Sequence, residues 1–216
     1  VVPLTSKIRV VRASSGWVAI DKPAGLLSVP GKGEANQTCA ASWCREAFPD
    51  ARGPITVHRL DMDTSGLLLM ALDPETHRAL SAQFEARAVA KSYTAVVAGI
   101  VAPDSGHFDA PMRLDPDNRP RQIIDAHLGK PAVTRFQVLS RDPAAPSPRS
   151  RLALFPLTGR THQLRLHCAH AGHPILGDPL YGDETSAPRL LLHAETLEFD
   201  DPADGTRVRC HAPAPF

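Results

Sequence analysis

The sequence predicts an α+β fold. Strand-like runs are short and numerous, helical patterns number only about three, and the two do not alternate in the regular order of a βαβ fold. No segment repeats another. The chain has 216 residues, enough for one ordinary domain or a compact pair of lobes sharing a core.

Each element follows from local pattern. Residues 8–20, IRVVRASSGWVAI, read as two short strands joined by a Ser-Ser-Gly turn. DKPAGLLSVPGKGE, residues 21–34, is a loop punctuated by Pro23, Gly25, Pro30, Gly31 and Gly33. TCAASWCREAF, residues 38–48, reads as a helix with Thr38 as N-cap. Residues 55–73 read as a strand, a polar loop, then the buried strand Leu67–Ala71. A second helix is predicted over 74–89, with Pro74 in its first turn and Ala79, Leu80, Phe84 and Ala88 at helical spacing. KSYTAVVAGIV, residues 91–101, alternates into a strand.

The segment 102–135 is rich in Pro, Asp and Arg, and a strand begins near Ala132. Residues 142–150 form a Pro/Ser linker or hairpin loop before the strand RLALFPLT. THQLRLHCAHAG is a third helix, with Thr161 as N-cap and Gly172 at its end, and LLLHAETLEF is a late strand.

Composition narrows the class. With 43% hydrophobic and 22% charged residues the chain reads as a soluble globular protein. No apolar run approaches the roughly 18 residues of a membrane span, and the start VVPLTSKIRVVR lacks the apolar region of a secretory signal. It also lacks an initiator Met, so native residues are expected before it. Cys39, Cys44, Cys168 and Cys210 form no C-x-x-C pair, which suits reduced thiols and a cytoplasmic location. A net charge of +1 says little about partners, since even a nucleic-acid-binding protein needs a basic face and not a basic total.

Two segments place polar side chains among apolar ones. In HRLDMDTSG, residues 58–66, a carboxylate, an arginine and two hydroxyls stand at the mouth of a buried strand, where unpartnered polar groups are costly. A capping turn with Arg59 paired to Asp61 accounts for them equally well. In GRTHQLRLH, residues 159–167, His162 and Arg165 lie within one helical turn, and the helix start with Arg160 suits an anion such as a phosphate. A polar helix face is the plainer alternative. His162, His167, Cys168, His170 and His173 crowd twelve positions, yet their spacing matches no zinc framework, so no metal is expected. Ser65 lies in no G-x-S-x-G elbow, and D-T-S-G occurs once where an aspartic protease needs two.

At these residues the chain resembles the RluA-type pseudouridine synthases. HRLDMDTSGLLLMAL is similar to the first signature of that family, and GRTHQLRLHCAHAGHPILGDPLYG, residues 159–182, to the second. DKPAGLLSVPG, KSYTAVVAG and PRLLLHAETLEF match in order and spacing, so the resemblance runs from about residue 17 to 199. Asp63 stands where the family often has a small residue. DNRPRQ, GKPA and the ending APAPF look like the short members without an N-terminal S4 RNA-binding module.

The resemblance implies a single catalytic domain over 1–216, a mixed and largely antiparallel sheet with flanking helices and loops, and two lobes around a catalytic cleft. It implies Asp61 as the catalytic aspartate, Tyr93 as the aromatic against the target base, Arg165 as the partner of Asp61, and Arg59 as the residue reaching in beside the extruded nucleotide. Arg119, Arg160 and His162 are expected to contact RNA, with Lys22, Arg113, Arg121 and Arg189 as further phosphate contacts. The partner is then a stem-loop of rRNA or tRNA, read by a monomer that needs no cofactor. A metal-dependent hydrolase on the histidine cluster and a non-catalytic RNA-binding protein are the competing classes.

Overall fold

The computed structural model describes residues 3–216. In chain order its regular elements are β1 (Arg9–Ala13), β2 (Trp17–Lys22), α1 (Ala40–Ala47), β3 (Ser65–Ala71), α2 (Pro74–Glu85), β4 (Ala90–Ala98), β5 (Ser105–Asp109), β6 (Met112–Leu114), β7 (Gln122–Ile124), β8 (Val133–Asp142), β9 (Arg149–Pro156), α3 (Gln163–His170), β10 (Leu192–Asp200) and β11 (Arg207–His211). Eleven strands and three α-helices among the described residues make the α+β class plain. The chain forms two compact units, one of residues 1–91 and 193–215, the other of residues 92–192 with Phe216.

In the first unit the strand order is β1-β2-β3-β10-β11. All of these pairs are antiparallel except β3 with β10, which run parallel at Ser65↔His193 and Gly66↔Ala194. Strand β3 is buried at every position, as a central strand covered on both faces must be, which explains its unbroken apolar run. Trp17 packs edge-on against Phe199 at 4.9 Å, while its indole N–H donates to Asp201. Helix α2 starts where Asp73 accepts the N–H groups of Glu75 and Thr76, with Pro74 in the first turn.

The second unit carries the antiparallel order β4-β9-β8-β5 and the separate hairpin β6-β7. Its core gathers Val97, Phe136, Leu152, Leu154, Leu164 and Ile175.

Several boundaries differ from those the sequence predicts. Helix α1 is capped by Cys39 and not by Thr38: the Cys39 thiol accepts the N–H of Ser42 while the Ser42 hydroxyl accepts that of Cys39. Helix α2 stops at Glu85, since Arg87 turns to a left-handed φ of 58° and Ala88 is exposed. The short strand expected from residue 55 up to His58 does not form; Thr56 makes one isolated bridge to Met70, and the segment is irregular. Helix α3 begins at Gln163 behind His162, which is left-handed at φ 55° and gives no side-chain cap, so Thr161 is not the N-cap.

Candidate active site

The first signature has no regular structure over residues 58–64, and the surrounding loops fix it residue by residue. His58 Nε2 accepts the N–H of Leu69 in β3 at 2.9 Å, and its ring stacks on Phe84 of α2 with centroids 4.5 Å apart. The hydroxyl of Ser28 holds Leu60 on both sides, accepting its N–H at 3.0 Å and donating to its carbonyl at 2.7 Å. The carbonyl of Met62 accepts from Lys22 Nζ at 3.0 Å and from the N–H of Gly25 at 2.9 Å. Thr64 N–H closes a turn onto the carbonyl of Asp61. Both chain neighbours of Asp61 are therefore tied to the loop that follows β2, and the carboxylate-bearing residue has little freedom to move. This is the physical reason that DKPAGLLS accompanies HRLD.

Lys22 is a correction to the sequence reading, which offered it to phosphates. It is fully buried, and its ammonium donates to the carbonyls of Pro23, Leu26 and Met62. Burial pushes its pKa down to about 8, against the opposing pull of Asp63, Asp61 and Asp21. Three protons for three carbonyls is the arrangement an ammonium satisfies in full.

His58 gives the unit an acid sensitivity. Desolvation, helped by the nearby Lys91, pushes its pKa from 6.5 down to about 3. The unfolded chain thus takes up a proton at a pH where the folded protein stays neutral. The contribution of His58 is intact above about pH 6.5 and is lost as the pH falls toward 3. His58→Gln, whose amide oxygen can accept the same Leu69 N–H, is expected to flatten the fall in Tm between pH 6.5 and 4. Equal steepness in the two proteins would show that another group titrates.

The second signature centres on a buried ion pair. Arg165, in the first turn of α3, donates from Nε to Asp178 Oδ2 at 2.8 Å and from Nη2 to Oδ1 at 2.6 Å, with both side chains almost fully enclosed. Its guanidinium also lies over the ring of Tyr181 at 5.4 Å. The Tyr181 hydroxyl accepts the N–H of Gln122 at 2.7 Å and is bonded to His162 Nδ1 at 2.9 Å, which joins the start of α3 to strand β7. Burial raises the pKa of Asp178, but the Arg165 bonds and charge, with the N–H groups of Leu180 and Tyr181, outweigh it and hold the carboxyl below its ordinary value. Sequence reading gave Asp178 and Tyr181 no role, although both stand in GDPLYG; a buried arginine on α3 calls for a carboxylate of this kind.

The other expected residues fall as follows. Arg59 is exposed beside Asp61 in the chain. Tyr93 lies half-buried on β4, opposite Leu154 of β9 and packed against the second unit's core. Arg119 and Arg121 are exposed at the turn of the β6-β7 hairpin, with Arg121 over the ring of Tyr181 at 5.5 Å. Arg160 donates to the carbonyl of Pro131 from its side chain, and its backbone N–H donates to Gln163 Oε1. Arg113 is paired with Asp125 at 2.6 Å, and Arg189 stacks on Phe216.

The histidines of the second signature have separate partners. His167 is bonded to Thr134 and Ala110, and His173 to the Ala98 carbonyl. Burial, with the Asp178 charge, pushes the Cys168 thiol up to about 12. Ser65 is likewise engaged: its hydroxyl meets His193 Nδ1 at 2.8 Å, and His193 Nε2 donates to the Ala212 carbonyl. The serine of D-T-S-G is a buried pin between β3 and the β10-β11 arm.

Comparison with known proteins follows the same lines. The family model described as RNA pseudouridylate synthase matches residues 16–170. The dual-specificity RNA pseudouridine synthase RluA of Haemophilus influenzae is 41% identical over 217 residues, covering 99% of this chain and 96% of that protein. Its counterpart from Escherichia coli K12 is 42% identical over 202 residues, covering 92% and 90%. Among solved structures, human RNA Pseudouridylate Synthase Domain Containing 1 superposes with a TM-score of 0.82 at 30% identity over 98% of this chain and 85% of that one. Human RNA Pseudouridylate Synthase Domain Containing 4 shares the fold with a TM-score of 0.73 at 24% identity, over 98% and 90%. The chain belongs to the RNA pseudouridylate synthase family and is an RNA pseudouridine synthase, an isomerase.

Proposed function

We propose that this enzyme isomerises a uridine in a short RNA stem-loop, with Asp61 as the reacting carboxylate and Tyr93 and Arg165 as the other two members of its catalytic set. The observation that carries the reading is Asp61 itself, set between two anchored neighbours in the loop that bears the family's first signature. The reaction breaks the bond from uracil N1 to ribose C1′ and forms one from C5 to C1′, while the C5 proton is lost and N1 gains one. Nothing is oxidised and no group leaves, so the chemistry demands neither cofactor nor metal. A carboxylate suits it as a nucleophile toward carbon or as a base toward a sugar proton. The target base must leave its stack, at a cost of a few kcal/mol, and an aromatic face such as Tyr93 returns about 1–3 kcal/mol per base.

Arg59 and Arg119, both exposed, and Arg160 and His162 on the second signature are assigned to the RNA. Single-stranded loops are where bases can be splayed out and read at their edges. By analogy with the dual-specificity relatives, a tRNA anticodon stem-loop and a large-subunit rRNA hairpin of similar loop sequence are the proposed substrates, met by a cytoplasmic monomer acting as one catalytic domain. The test offers both isolated hairpins and a fully paired duplex carrying the same uridine, each with and without EDTA. Modification of both hairpins is expected, unaffected by chelation once RNA folding is controlled. Equal rates on the duplex would refute loop recognition, and modification of one hairpin alone would refute dual specificity.

A further inference from the structure

We propose that Asp178 is a positioning residue for pseudouridylation, acting through Arg165; the inference rests on the assignment of Arg165 to the reaction made above. The carboxylate engages the guanidinium side-on through Nε and Nη2, at 2.8 and 2.6 Å, and this fixes the plane of the fork and the direction of its remaining donors. Asp178 is itself unable to turn. Its Oδ1 also accepts the N–H groups of Leu180 at 2.8 Å and Tyr181 at 3.1 Å, and its backbone carbonyl accepts that of Gly182. The ring of Tyr181, tied by its hydroxyl to Gln122 and His162, bounds the guanidinium as well. Carboxylate and aromatic face together leave Arg165 one orientation.

Stability alone does not account for this arrangement. A buried ion pair gains little over well-packed apolar side chains of the same volume, because desolvation of both charges offsets their attraction. What the pair supplies that apolar residues do not is a guanidinium of fixed aim, 2% exposed and held along one edge by a fixed carboxylate. A reaction that depends on placement is sensitive to this, since a misplacement of about 1 Å costs on the order of 10²-fold in rate.

The experiment compares the full chain with Asp178→Asn, Arg165→Met, the double variant and Arg165→Lys, measuring kcat and KM on a hairpin RNA together with Tm. Asn can keep the Leu180 and Tyr181 bonds through its oxygen but turns an N–H toward Arg165 Nε. D178N is expected to lower kcat about 10²-fold with KM changed less than about 3-fold. In the R165M background the same change is expected to cost nothing further in kcat, while raising Tm because it removes the stranded buried carboxylate. A purely structural role would instead lower Tm in D178N while the folded variant keeps wild-type kcat, and that result would overturn the proposal. Should D178N fail to fold, R165K decides: it keeps a cation opposite an intact Asp178 without the fork, and wild-type kcat in R165K would overturn the proposal. Failure of the underlying reading looks different, for R165M itself would then keep wild-type kcat while Asp61→Asn is inactive.

Discussion

Asp61→Asn is expected to reduce isomerisation about 10³-fold or more while leaving RNA affinity nearly unchanged. The substitution keeps the size of the side chain and one acceptor oxygen but removes the charge. An amide neither attacks carbon nor takes a proton at neutral pH, so both mechanisms open to the carboxylate fail together. The loop is expected to survive the change. Its anchors are the backbone groups of Leu60 and Met62, held by Ser28, Lys22 and Gly25, and the turn bond from Thr64 uses the backbone carbonyl of residue 61. Release of tritium from RNA labelled at uridine C5 reads the reaction, and filter binding to the same RNA reads affinity. Mass spectrometry must show that the Asn has not deamidated to Asp. Appreciable turnover by the verified variant would remove Asp61 from the chemistry.

The site was legible in part, and the division has physical reasons. Asp61, Tyr93 and Arg165, the residues proposed for the reaction, stand in contiguous signatures, so a reader of the chain meets each with its neighbours attached. Strand β3 was legible because a strand buried on both faces writes itself as a continuous apolar run. Helix α2 was legible at its start because Asp73 and Pro74 are ordinary capping residues. Its end was not, since Ala88 is apolar yet exposed beyond the left-handed Arg87.

Elements that depend on distant partners were hidden. Ile55 and Val57 read as a strand, but only Thr56 finds a bridge, and the helix-side imidazole of His58 takes the Leu69 N–H instead. Strands β5, β6 and β7 sit in a stretch rich in Pro, Asp and Arg where no element was read before Ala132; two of the three are only three residues long. Lys22 looked like a surface cation because nothing local shows that three carbonyls, one of them forty residues away, enclose its ammonium. Asp178 was passed over for the same reason: its partner lies thirteen residues earlier on another element.

Gly66→Ala is expected to cost the protein about 3 kcal/mol or more of stability, enough to leave little folded enzyme in a domain of ordinary margin. Two effects add. Gly66 has φ +107°, a backbone conformation that L side chains rarely adopt, and a Cβ built there would lie 2.3 Å from the Ala194 carbonyl oxygen and 2.6 Å from its nitrogen. Both contacts are to backbone, so no side chain can swing aside; strands β3 and β10 would have to part at one of the two residue pairs that join them. The same movement would draw Ser65 from His193 and disturb the register of Gly66 with Lys22, whose ammonium holds the loop of Asp61. Gly205 supplies the control, because its φ of +75° is also left-handed but nothing lies within 4 Å of a Cβ placed on it. Gly205→Ala should therefore show the conformational strain alone, about 1 kcal/mol. Chemical denaturation of the two variants beside the parent measures the difference. A loss in G66A no greater than in G205A would mean that the sheet yields at this pair, and that the close approach of β3 to β10 does not require glycine.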